Sequence, residues 1–84
     1  MSYARREHYP PESLEYSVRL ARRITEIRES KKLTSFQLSA RACLHSMTFK
    51  RIEALESLPD IAQLYLIATA LQTPLPDLLR DLEP

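Results

Sequence analysis

The stretch whose reading decides the fold is Thr34 to Glu53, TSFQLSARACLHSMTFKRIE. It predicts two short helices joined by a tight turn. Thr34 followed three residues later by Gln37 is a capping box, in which the Thr hydroxyl and the Gln side chain satisfy each other's orphan backbone amides. Leu38 and Ala42 fall about one turn apart and should face inward. The periodicity breaks at Cys43-Leu44-His45-Ser46. A second helix then carries Phe49 and Ile52 on one face. Its outward positions are Ser46, Met47, Lys50 and Arg51, a small, polar or basic set. Such a helix, held against a preceding one, has the shape that a DNA major groove accepts. An ordinary helical hairpin with a solvated outer face has the same spacing.

Composition narrows the class. Eighty-four residues suffice for one domain with a modest core, and 44% hydrophobic residues mean that it should fold. No apolar run approaches the roughly 18 residues of a membrane span. The start, MSYARREHYPPES, lacks the apolar stretch of a signal peptide, so a cytoplasmic location is expected. A single Cys43 forms no internal disulfide, and no Cys/His set has metal-ligand spacing. The chain has no Gly, which removes Gly-rich phosphate loops and favours an all-helical chain with short connections. No nucleophile–base pair, carboxylate pair or cofactor motif stands out, so neither an enzyme nor a cofactor is expected. The net charge of +1 is unevenly spread. Eleven Lys and Arg face six acids up to Glu53, a surplus of five, whereas one Arg faces five acids from Ala54 onward, a deficit of four. A basic front and an acidic back suit a molecule that presents one side to a polyanion, although the two halves could simply attract each other.

Outward from the central pair, residues 1–11 form an irregular basic arm carrying Tyr3, Arg5, Arg6, His8 and Tyr9, since Tyr9-Pro10-Pro11 disfavours helix before it. The arm could lie along DNA, cover its own domain or stay loose. The remaining residues, 12–84, form the domain. A long first helix should begin near Glu12 and end near Lys31-Lys32, with Leu20, Ile24 and Ile27 inward and Leu14 and Val18 extending that apolar face upstream. Arg28 lies one turn after Ile24 and, if buried, needs a partner. Asp60 with Gln63 is a second capping box. It opens a helix with the core stripe Ile61, Leu64, Ile67, Ala68 and Leu71, leaving Tyr65 and Leu66 off the stripe. Thr73 should cap a short fifth helix that Pro74 or Pro76 can enter without losing a hydrogen bond. Leu75, Leu78, Leu79 and Leu82 make that helix apolar on more than one side, either deeply packed or part of a dimer interface.

From about Leu20 to Leu79 the chain resembles the lambda-repressor-like helix-turn-helix domain of the Cro and xenobiotic-response-element family of bacterial and phage regulators. The residues that carry the likeness are Ile24, Ile27-Arg28, Lys32-Leu33-Thr34, Leu38, Leu44, Thr48-Phe49, Arg51-Ile52-Glu53, Pro59, Leu64, Ile67-Ala68, Ala70-Leu71 and Leu75-Asp77-Leu78-Leu79, in family order without gaps. The resemblance implies an all-α, compact five-helix domain with the helix-turn-helix unit at about 34–53. It implies a homodimeric, sequence-specific regulator of transcription, a repressor, on a double-stranded DNA operator at the nucleoid. Leu75, Leu78, Leu79 and Leu82 then become dimer contacts, and the upstream Leu14 and Val18 and the small monomer core also favour a dimer. An antitoxin or adaptor of the same fold, using other surfaces on a protein partner, is the alternative. Ser35 matches a phosphate-contacting position, and Ser46, Met47, Lys50 and Arg51 match base-reading ones. Thr48 belongs to the same helix, and His45 stands where a Ser or Thr cap is usual, facing the phosphates. Arg28 and Glu53 match an internal ion pair, and Ser57 matches a loop that touches the DNA backbone. Arg can grip guanine through two hydrogen bonds, and Met47 could pack on a thymine methyl. Cys43 occupies a turn position where Gly is usual. Either its backbone is left-handed, at a steric cost of about 1–2 kcal/mol, or the turn is reshaped and the recognition helix moves.

Overall fold

The computed structural model describes residues 10–83, and the expected arm falls almost wholly outside them. The described residues form five α-helices and no strand: α1 Pro11–Ser30, α2 Ser35–Arg41, α3 Ser46–Glu53, α4 Ile61–Ala70 and α5 Leu75–Leu79. None is long and apolar enough to cross a membrane. α3 packs on α1 and α2, α4 on α2 and α5, and α5 returns to α1. The core between them is built from Leu20 and Ile24 of α1, Leu38 of α2, Phe49 and Ile52 of α3, Leu64, Ile67 and Leu71 around α4, and Leu78 and Leu82 at the C-terminal end.

Local chemistry explains the helix starts. Thr34 Oγ1 accepts the Gln37 amide at 3.0 Å while Gln37 Oε1 accepts the Thr34 amide at 2.9 Å. Asp60 and Gln63 repeat this reciprocal pair at 2.8 and 3.0 Å. Each box satisfies donors that a helix N-terminus otherwise leaves to water. α1 begins at Pro11, whose ring fixes φ and whose missing N–H loses nothing in the first turn. α5 departs from expectation. Its N-cap is Pro74 with no side-chain cap, and the Thr73 hydroxyl instead donates back to the Leu71 carbonyl at 3.2 Å.

The helix ends replace glycine by brute geometry. Lys32, Cys43, Leu55 and Gln72, each just past a helix, have φ of 58°, 57°, 64° and 54°. At every one the following amide reaches back five residues in the Schellman pattern: Leu33 to Arg28, Leu44 to Ser39, Glu56 to Arg51 and Thr73 to Ala68, at 2.8–3.1 Å. Leu33, Cys43's neighbour Ala42, and Leu71 are buried at these corners, so tertiary packing holds left-handed residues that have a Cβ. The α2–α3 turn is therefore made with Cys43 left-handed, the first of the two expected outcomes. Because a left-handed non-glycine residue costs about 1–2 kcal/mol and glycine returns about 0.5–1 kcal/mol of that as chain entropy, Lys32→Gly and Gln72→Gly should each stabilise the fold by about 0.5–1 kcal/mol. Urea melts of the single and double variants would register this, and a lower midpoint would refute the strain argument.

Three expected core positions lie elsewhere. Ile61, the first residue of α4, is 66% exposed. It precedes the first full turn of α4, where the helical period has no preceding turn to hold it inward. Leu14 and Val18 do not extend the inward stripe of α1. Tyr16 packs against the core instead, because it falls on the Leu20–Ile27 side of the helix.

Candidate nucleic-acid interface

α3 has two chemically opposite faces. Phe49 is fully buried and Ile52 nearly so, while Met47 is 47% exposed and Lys50 and Arg51 stand in solvent. Ser46 and Thr48 are half-buried along the edge between them. His45 is the N-cap, its Nδ1 accepting the Met47 amide at 3.1 Å. That bond holds the ring against the first turn. Met47 takes no part in the core, which contains Phe49 and Ile52 from this helix. The structure thus brings His45, Met47, Lys50 and Arg51 to one exposed side of one helix.

What anchors that helix is a carboxylate. Glu53 ends α3 with its side chain about 14% exposed and accepts three hydrogen bonds. The Arg28 Nε donates to Oε2 at 2.9 Å, Thr25 Oγ1 donates to Oε2 at 3.0 Å, and Ser35 Oγ donates to Oε1 at 2.7 Å. Arg28 also donates through Nη1 to the Leu33 carbonyl at 2.7 Å, at the end of α1. One acid therefore ties α1, α2 and α3 together, with its partners' charge and lone pairs mutually satisfied. Among the described residues no buried side-chain nitrogen or oxygen lacks a partner.

This node revises the role expected of Ser35. Its side chain is half-buried and its hydroxyl proton is engaged by Glu53, so it serves the joint between helices and does not offer that proton to a phosphate. In the loop after α3, Ser57 itself faces inward. It is buried, and its amide donates to the Arg51 carbonyl at 3.3 Å. Leu78 and Leu82 are also corrected as dimer contacts, because both are fully buried in the chain's own core; Leu75 and Leu79 remain half-buried beside them. α5 ends at Leu79, and Leu82 reaches the core from the turn beyond it.

Sequence reasoning missed Arg23. Its guanidinium donates to the Asp77 and Leu78 carbonyls at 3.3 and 3.4 Å and to the Arg80 carbonyl, capping the end of α5 from α1. Its position after Leu20 gave a weak signal, since Arg23 lies on the inward side of α1, but the carbonyls it reaches are more than fifty residues away.

No family model, curated protein or solved structure matches this chain.

Proposed function

We propose that this chain is a sequence-specific, double-stranded DNA-binding regulator of transcription, a repressor acting as a homodimer from a helix-turn-helix of the lambda-repressor-like kind, with α3 entering the major groove. The observation that carries the proposal is the division of α3. Its buried face is locked by Phe49, Ile52 and Glu53, and its open face presents Met47, Lys50 and Arg51. A reader of base edges needs such a rigidly mounted helix with few, exposed side chains. The basic surplus of the first 53 residues supplies the charge that draws a polyanion.

Selection from a random duplex pool, followed by anisotropy titrations at two salt concentrations, tests this. The expected result is an inverted repeat with half-sites about one helical turn, roughly 34 Å, apart, and affinity that falls steeply with salt. No enriched sequence would sink it. On the selected operator, Arg51→Ala should weaken binding by about 1–3 kcal/mol and relax preference at one base pair, while Arg41→Ala should weaken all sequences evenly at most. Equal losses on every duplex would remove Arg51 from base reading. Met47 reads a thymine methyl in this proposal. Replacing that thymine by uracil removes one buried methyl, worth about 0.8 kcal/mol or roughly four-fold in affinity, and Met47→Ala should abolish the difference between the two bases.

A protein-interaction role, as in an antitoxin or adaptor, is favoured by one specific observation. Ile61 and Tyr65, one turn apart on α4, are 66% and 61% exposed. A co-purifying protein lost on Tyr65→Ser, together with failure of the selection, would establish that reading.

A further inference from the structure

The first half of α1 meets the core only through Tyr16. None of its residues from Pro11 to Arg19 is buried, yet this stretch carries Leu14 and Val18, both half-buried. They border an apolar groove whose other wall is Leu55 and Leu58, from the connection after α3. At about 100° per residue, Val18 lies on the side of α1 opposite Leu20 and Ile27, which face the core. Leu14 and Ala21 flank it by about 40–60° toward Leu55, and Glu15 and Arg22 flank it by a similar angle on the other side. Glu15 and Arg22 are both exposed.

This arrangement is complementary to itself. When two copies of α1 pack antiparallel across a twofold axis beside Val18, the operation reverses direction along the helix and preserves the flank. Glu15 sits about 4.5 Å before Val18 along the axis, and Arg22 sits about 6 Å after it. Each Glu15 therefore comes level with the partner subunit's Arg22, on the same side. On the opposite side each Leu14 lies over the groove at Leu55, level with the partner subunit's Ala21, which its own core already buries. A helix pair with an apolar centre and reciprocal acid–base pairs on its flank is the form that an isologous contact takes. We infer that α1 is the dimer face of this protein, with Val18 on the twofold axis, Leu14, Leu55 and Leu58 as its apolar part and Glu15–Arg22 as its reciprocal ion pairs. The inference places the homodimer of the proposed function on α1 alone, where the sequence pointed to α5 together with Leu14 and Val18; it rests on the dimer part of that reading and needs no DNA.

Sedimentation of the full chain without DNA tests it, with circular dichroism confirming that each variant is folded. The wild type should be dimeric at high micromolar concentration. Glu15→Arg and Arg22→Glu should each weaken the dimer at least about ten-fold, because each sets like charges face to face. An equimolar mixture of the two variants should dimerise again, since both of its ion pairs are then opposite in sign. Val18→Cys in a Cys43→Ser background should oxidise to a covalent dimer, because a residue on the axis meets its own copy. A monomeric wild type overturns the inference and leaves the groove to residues 1–9 or to another protein. A dimer that survives both charge reversals, or that Leu79→Glu dissolves while Glu15→Arg does not, overturns it as well. Because these measurements omit DNA, their failure is separate from a failed operator selection.

Discussion

Glu53→Ala should lower the stability of this domain by about 3–5 kcal/mol, the loss that follows when one partner of a buried ion pair is removed. The side chains of Arg28 and Glu53 are only about 13% and 14% exposed, so the guanidinium is left largely shielded from water without its carboxylate. Thr25 and Ser35 lose their acceptor in the same step. For a domain of this size about 1 kcal/mol corresponds to about 4–8 °C, so the thermal midpoint should fall on the order of 15 °C or more. The chemistry of the loss can be separated from its size by Arg28→Met combined with Glu53→Met. Removing both charges leaves no uncompensated ion, and the double variant should regain a large part of the stability that the single Glu53→Ala loses. Calorimetry of the two variants decides. A drop below about 1 kcal/mol for Glu53→Ala would mean that the pair behaves as an exposed one and that α3 is held by its apolar face alone.

Phe49→Ala should be at least as damaging, about 3–5 kcal/mol, because a fully buried aromatic is removed at the point where α3 meets the core. With typical domain stabilities of about 5–15 kcal/mol, that leaves a large unfolded population at physiological temperature. Met47→Ala, two residues earlier on the same helix, should leave the urea midpoint almost unchanged, since surface substitutions usually lie within about 0.5 kcal/mol. The contrast is the cleanest test of the two-faced reading of α3: one substitution removes the fold, the other only what the exposed face contacts. Comparable destabilisation by both would place Met47 in the core and withdraw it from the candidate interface.

The two predictions also mark what could be read from the chain itself. Helix starts were legible because they are local. Thr34 with Gln37 and Asp60 with Gln63 meet within one turn, and no tertiary contact is needed to bring them together. The buried stripes were legible for the same reason, since Leu38, Ala42, Phe49 and Ile52 recur at the helical period. Periodicity was weaker at helix ends and on mixed helices. It placed Ile61 inside, and the expectation that Leu14 and Val18 continue the α1 stripe followed their apolar character against the period, which puts Tyr16 on the Leu20–Ile27 side.

By itself, then, the sequence determined an all-helical chain, the two capping boxes, most of the core and the polar and basic set on α3, because each depends on residues within a turn or two of one another. Only the tertiary structure decided which polar groups are spent on holding the fold. Ser35 was free on paper and is bound to Glu53, eighteen residues away. Arg23 joins α1 to carbonyls more than fifty residues distant. Leu78 and Leu82 fill the core, and Leu14 and Val18 are left beside an open groove. Burial and hydrogen bonding between distant segments are set by how the helices pack, and packing is a property of the whole assembly of helices that no single stretch encodes.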